Sequence, residues 1–146
     1  MLRRDLLNVK VMGFNAIRFI SGVATRYQLD LCDEIGLMVY EEPYAAWCLR
    51  ASPKMAERFD SSVAGMVRRD RNHPSIVMWV PFNEGWGQHE TESIVAWLQK
   101  YDPNRPVNEA SGWTDKGSGD VKDIHSYPGP AMPPVEEKRA GVLGEF

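Results

Sequence analysis

Two glutamates stand where a pair of carboxyl groups could act on one bond. Glu84 follows Asn83 just after the apolar stretch Ser75 to Val80. Glu145 lies in a second such stretch, Gly141 to Phe146. Carboxyl groups delivered by different strands suit the cleavage of a glycosidic bond. One protonates the leaving oxygen, and the other attacks the anomeric carbon to form a covalent sugar intermediate that water later releases. Asn83, beside the acid, suits a neighbouring sugar hydroxyl. By spacing alone the signal is weak, because a Glu after a strand is more often a solvated loop residue.

More residues gather at the same kind of place. Arg18, Glu41, Glu42, Trp113, His125 and Tyr127 end apolar strand-like runs or follow them. In a parallel α/β fold the C-terminal ends of strands line the site. Charged and aromatic side chains collected there fit a mouth that takes a polar, ring-shaped substrate. Glu41 and Glu42 form a further carboxylate pair, one expected to face that mouth and the other to anchor a loop.

The elements that must position these residues follow from local signals. Residues 2–12 read as a helix closed by Gly13, and Asn15 to Phe19 as a strand. Thr25 and Gln28 have capping-box spacing and open a helix with Tyr27, Leu31 and Ile35 as its apolar stripe, stopped by Gly36. Leu37 to Tyr40 reads as a strand buried on both faces. Ser52-Pro53 marks the start of a helix running to about Asn72, with Met55, Phe59, Val63, Met66 and Val67 inward. After the strand at Ser75 to Val80, a helix over roughly 89–101 turns Ile94, Trp97, Leu98 and Tyr101 to its apolar side. Val107 to Ala110, Val121 to Ser126 and Gly141 to Phe146 read as strands, and Pro128 to Arg139 has room for one short helix. Six strands alternating with helices indicate βα units and a parallel sheet. A six-stranded doubly wound sheet is the fold alternative, but the first βα turn lacks a Gly-x-Gly-x-x-Gly fingerprint.

Composition bounds the function classes. The 146 residues are 43% hydrophobic and 25% charged, with a net charge of -3, as expected of an ordinary globular domain. The charge offers no footprint for nucleic acid and no basic strip for a membrane surface. No apolar run reaches the ~18 residues of a membrane-spanning helix. The first twenty residues lack the apolar stretch of a secretory leader. Cys32 and Cys48 belong to no Cys-x-x-Cys pair, and the three histidines lack metal-ligand spacing, so neither a metal nor a cofactor is expected.

Read together, the motifs are more specific than the spacings. Asp70-Arg71-Asn72-His73-Pro74-Ser75-Ile76-Val77-Met78-Trp79, leading to Asn83-Glu84, resembles the signature of glycoside hydrolase family 2. Gly13-Phe14-Asn15-Ala16-Ile17-Arg18 resembles that family's second barrel strand, and Leu29 to Glu42 its next helix and strand. Gly144-Glu145-Phe146 resembles the strand-7 segment that carries the nucleophile. The resemblance runs in order from about residue 13 to the end. It implies an incomplete (β/α)8 TIM barrel covering roughly strands 2 to 7, in one partial domain over 1–146 whose natural start is missing. It implies a retaining β-glycosidase acting on a carbohydrate substrate, with Glu84 as acid/base and Glu145 as nucleophile. Arg18 would hold the nucleophile's charge, Asn83 the 2-hydroxyl, and His125 and Tyr127 the sugar or the nucleophile. Trp113 would offer a stacking face, and Trp86, in the Gly85-Trp86-Gly87 turn, a substrate contact. The sequence departs from the family in lacking His-x-Pro after Arg18, where Phe19 to Val23 stand.

Other readings stand beside these. His73 is expected to order a turn, His89 to be exposed at a helix start, and Trp79 and Trp97 to be core. Arg68 to Arg71 is read as a solvated helix end. The chain could also be a barrel piece that binds sugar without cleaving it, or belong to an endo-acting, cellulase-like sister family. The specific sugar and the oligomeric state are not legible.

Overall fold

The computed structural model describes residues 1–44, 48 and 50–146. The element order is α1 (Leu2–Val11), β1 (Ala16–Arg18), α2 (Arg26–Ile35), β2 (Met38–Glu41), α3 (Pro53–Asp70), β3 (Ile76–Trp79), β4 (Phe82–Asn83), α4 (Thr91–Tyr101), β5 (Ala110–Ser111), β6 (Val121–His125) and β7 (Ala140–Glu145). Every strand pairing is parallel: β1-β2-β3, then β4-β5, then β6-β7. Six strands were expected, and among the described residues seven form. The third expected strand, Ser75 to Val80, forms as β3, and past a break at Val80-Pro81 an unexpected short strand, β4, continues it; β3 pairs with β2 and β4 with β5. The break is bridged, because Trp79 pairs with Val107 and the Val80 N–H bonds to the Glu41 carbonyl at 2.9 Å.

The caps read from the sequence form. Thr25 accepts from the Gln28 N–H while Gln28 accepts from the Thr25 N–H, and Gly36 ends α2 in the left-handed conformation. Such a cap stabilises a helix by about 1 kcal/mol. Ser52 accepts from the Met55 N–H ahead of Pro53, whose missing N–H costs nothing in the first turn.

Side chains alternate across the strands, and two apolar clusters result. One lies between strands and helices and includes Leu29, Cys32, Leu37, Val39, Val67 and Trp79. The second is smaller and gathers Tyr40, Met78, Val80, Val121 and Val142 from β2, β3, β6, β7 and the β3–β4 link. Strands far apart in the sheet order meet there, which is how the filled interior of a barrel is built. No helix among the described residues is long and apolar enough to cross a membrane.

Several expectations are corrected. Tyr27 and Met55 are exposed; Leu29 and Cys32 join Leu31 on the buried side of α2, and Phe59 leads the buried side of α3. Residues 128–139 form no helix: Pro128, Pro130, Pro133 and Pro134 withhold the donors a helix needs. Asp70 is fully buried and paired with Arg69, which also donates to the Ala24 carbonyl. His89 packs edge-on against Phe59 of α3 and Phe82 of β4 and contacts Asp60 at 2.9 Å, so it ties the segment before α4 to α3 and is not an exposed terminus. His73 orders its turn as expected, with Nδ1 at 2.6 Å from Asp33. Burial pushes the Asp33 carboxyl up, but hydrogen bonds from Ser75 and His73 outweigh it and hold the group below its ordinary value.

Candidate functional site

The strand ends deliver one connected polar cluster. Arg18, at the end of β1, reaches across the mouth with a side chain only 11% exposed. Its Nε donates to Glu42 at 2.9 Å, Nη2 to Asn83 Oδ1 at 2.7 Å, and Nη1 to Ser111 Oγ at 2.7 Å and Glu145 at 3.1 Å. A planar guanidinium with five N–H donors can serve four such partners at fixed angles, which a lysine cannot. Glu42 is 1% exposed and also accepts from the Ser21 N–H. Burial raises its pKa, and Arg18 opposes that shift. Glu41 points the other way, as strand alternation requires. It is 0% exposed, anchors the Ala24 N–H at 2.8 Å, and is pushed by burial to about 8. The adjacent pair therefore divides between site and loop as the sequence suggested.

Glu84 follows β4 in the left-handed region, with φ of 54°. A non-glycine residue held there is strained and needs its surroundings to hold it. The Glu84 N–H bonds to the Ser111 carbonyl at 2.7 Å, and His125 Nδ1 lies 2.8 Å from its carboxyl oxygen. His125 ends β6 with its side chain fully buried; its Nε2 faces Ser111 Oγ at 2.8 Å and Glu145 at 3.6 Å. Tyr127 donates its phenol proton to the other Glu145 oxygen, and this acceptor pushes the phenol up to about 12. One oxygen of Glu84, one of Glu145 and a ring nitrogen of His125 lie within 4.8 Å of one another. A second group of this kind, Asp30, Asp33 and His73, sits away from the mouth.

Beneath these groups lies a layer that the sequence reading missed. Ser111 Oγ accepts from Arg18, and its single proton can serve either Asp123 at 2.7 Å or His125 at 2.8 Å. Asp123 also accepts from Asn108 at 2.6 Å and from the Gly144 N–H at 2.8 Å, which fixes the backbone just before Glu145. Asp123 was legible as the residue two before His125 on one strand face. Ser111 carried no signal, lying in a polar, glycine-rich stretch.

Trp86 and Trp113 stand to one side. Both line a cavity of about 810 Å³ that also takes in Glu84, Gln88, Thr114 and Lys116. Trp113 is exposed and meets His125 edge-on. All eight site residues singled out in the sequence thus lie in the central cluster or along this cavity, which Glu84 joins.

The profile of "Glycosyl hydrolases family 2, TIM barrel domain" matches residues 1–128. The chain belongs to glycoside hydrolase family 2. It is 32% identical over 125 residues to the "Beta-galactosidase" of Photobacterium profundum, an alignment covering 81% of this chain and 12% of that relative. Among solved structures, a "beta-glycosidase from Bacteroides vulgatus" is 32% identical with a TM-score of 0.72, over 85% of this chain and 16% of that one. The "beta-glucuronidase 3" of Bacteroides uniformis is 28% identical with a TM-score of 0.61, over 73% and 15%. The chain therefore spans about 12% of the curated relatives it matches first.

Proposed function

We propose that this chain carries the reaction centre of a retaining β-glycosidase. The observation that carries the reading is the approach of Glu84 and Glu145 to within 4.8 Å, oxygen to oxygen. Carboxyl groups about 5–5.5 Å apart suit retention, whereas inversion needs about 6.5–9.5 Å to admit a water between them. Family membership supports the same chemistry.

In the first step a Glu145 oxygen attacks the anomeric carbon while Glu84 gives its proton to the glycosidic oxygen. The bond to the leaving group breaks, and a sugar ester of Glu145 remains. In the second step Glu84 takes a proton from water, whose oxygen displaces Glu145 and frees the sugar. Arg18 and Tyr127 grip one Glu145 oxygen each, which fixes the direction of attack. Arg18 also holds Asn83 by its carbonyl oxygen, presenting the amide's donor end to a sugar hydroxyl.

The test is a panel of aryl β-galactosides, glucosides, mannosides and glucuronides offered to the full-length protein. One sugar should be cleaved, and E84Q and E145Q should each lower kcat/KM by about 10²–10⁴-fold. An E145Q variant as active as the unmodified protein would sink the assignment.

A further inference from the structure

We infer that His125 works as a fixed imidazolium, and that Asp123, acting through Ser111, holds it in that state. The inference rests on the glycosidase reading and deepens it. It assigns the charge that stands beside the acid/base, and it makes Ser111 and Asp123 positioning residues. Both act from below the mouth: Ser111 is 0% and Asp123 5% exposed, and the His125 side chain between them and Glu84 is fully buried.

Counting protons decides the state of the ring. The Ser111 hydroxyl has one proton and two lone pairs. The Arg18 guanidinium can only donate, and at 2.7 Å it takes one lone pair. Asp123 accepts on both oxygens: the Gly144 N–H meets Oδ1 at 2.8 Å, and the Asn108 amide meets Oδ2 at 2.6 Å. As a carboxylate it has no proton to give, so the Ser111 proton goes to it at 2.7 Å. The remaining lone pair of Ser111 faces His125 Nε2 at 2.8 Å and calls for an N–H there. Across the ring, Nδ1 faces a Glu84 oxygen at 2.8 Å and calls for a second N–H. Glu145 does not compete for Nε2, because its oxygen is 3.6 Å away and already takes Arg18 at 3.1 Å.

Charge balance points the same way. Glu84 approaches the ring from the end of β4, Glu145 from β7 and Asp123 along β6, with the Tyr127 phenol edge-on. Arg18 reaches in from β1, with Glu42 of β2 behind it. When Glu84 is protonated, Glu42, Glu145 and Asp123 still bring negative charge against Arg18 alone, and an imidazolium offsets part of the excess. The consequence concerns the acid/base. With Nδ1–H on one Glu84 oxygen throughout, the proton exchanged with the leaving group and with water rides on the other. The cation also stands 2.8 Å from the carboxylate that forms when Glu84 gives up its proton, and so favours that transfer.

The experiment is the pH dependence of kcat/KM for the phenyl β-glycoside of the sugar that the full-length protein cleaves, in D123N and in S111A. In D123N the new amide must keep its oxygen on the Gly144 N–H, so its NH₂ turns toward Ser111; Asn108 Oδ1, buried and without a partner, can turn in to accept from it. The Ser111 proton then swings to Nε2, and the ring becomes neutral with its proton on Nδ1. S111A removes the acceptor at Nε2 and has the same effect on the ring while keeping the charge of Asp123. In both variants Glu84 loses its neighbouring cation, so the alkaline limb should move up by about one unit or more. Loss of the Asp123 charge by itself would move the limb of D123N down, so the sign decides. A limb that stays in place or moves down in either variant overturns the imidazolium while the glycosidase reading stands, and S111A decides alone where D123N does not fold. If the unmodified protein cleaves none of the phenyl galactoside, glucoside, mannoside and glucuronide, the glycosidase reading fails and the role of His125 falls with it.

Discussion

Replacing Arg18 with methionine removes one guanidinium and leaves four acceptors to find other partners. Glu42 suffers most, being 1% exposed and losing contacts of 2.9 and 2.8 Å. Breaking a buried ion pair from one side costs about 3–5 kcal/mol, because the remaining charge stays desolvated. At about 3 °C per kcal/mol for a domain of this size, Tm should drop by roughly 10 °C. The double variant R18M/E42Q removes the stranded charge as well and should regain most of that loss. The penalty also has a pH signature. Burial already raises the Glu42 pKa, and loss of Arg18 raises it further, so protonation relieves the strain. R18M should therefore be less deficient at pH 5 than at pH 8. Urea denaturation followed by tryptophan fluorescence measures both effects. A double variant no more stable than R18M alone, or a deficit equal at the two pH values, refutes the argument.

Glu41 should make the fold lose stability as pH rises. Its pKa moves from an ordinary 4.5 to about 8, so its contribution is complete below 4.5 and is lost on the way to 8, on the order of 5 kcal/mol; E41Q should flatten that part of a stability-versus-pH curve. G112A should place a Cβ 2.8 Å from the His125 ring at a φ of 101°, costing roughly 1–3 kcal/mol in thermal denaturation and slowing aryl glycoside hydrolysis by displacing the ring from Glu84. Y127F should leave the free energy of unfolding within about 1 kcal/mol of the unmodified protein, since the phenol is exposed, yet lower kcat roughly tenfold by freeing one Glu145 oxygen.

What the sequence disclosed was local. Thr25, Gln28, Gly36, Ser52 and Pro53 act within a few residues of themselves, and each does what its type dictates. The parallel alternation and the strand-end residues were legible for the same reason. Tyr27 failed because a stripe at i, i+4, i+8 drifts by about 40° per step on a 3.6-residue helix, so its first member turns outward while Leu29 and Cys32 turn in. Asp70 and His89 looked solvated because charge and ring nitrogens are polar in composition; only the fold buries Asp70 beside its neighbour Arg69 and brings two phenylalanines to His89. Ser111 was invisible because its role exists only where β1, β5 and β6 meet.

The four acceptors of Arg18 have a chronology. They stand 24, 65, 93 and 127 positions further along the chain, at Glu42, Asn83, Ser111 and Glu145. A ribosome adds about 5–20 residues per second, so Arg18 can meet Glu42 early but must wait roughly 5 to 20 seconds more for Glu145 to be made. The nascent chain therefore passes through a stage in which Arg18 and Glu42 both exist and Glu145 does not. Of the four acceptors Glu145 is made last, and its contact closes the longest loop.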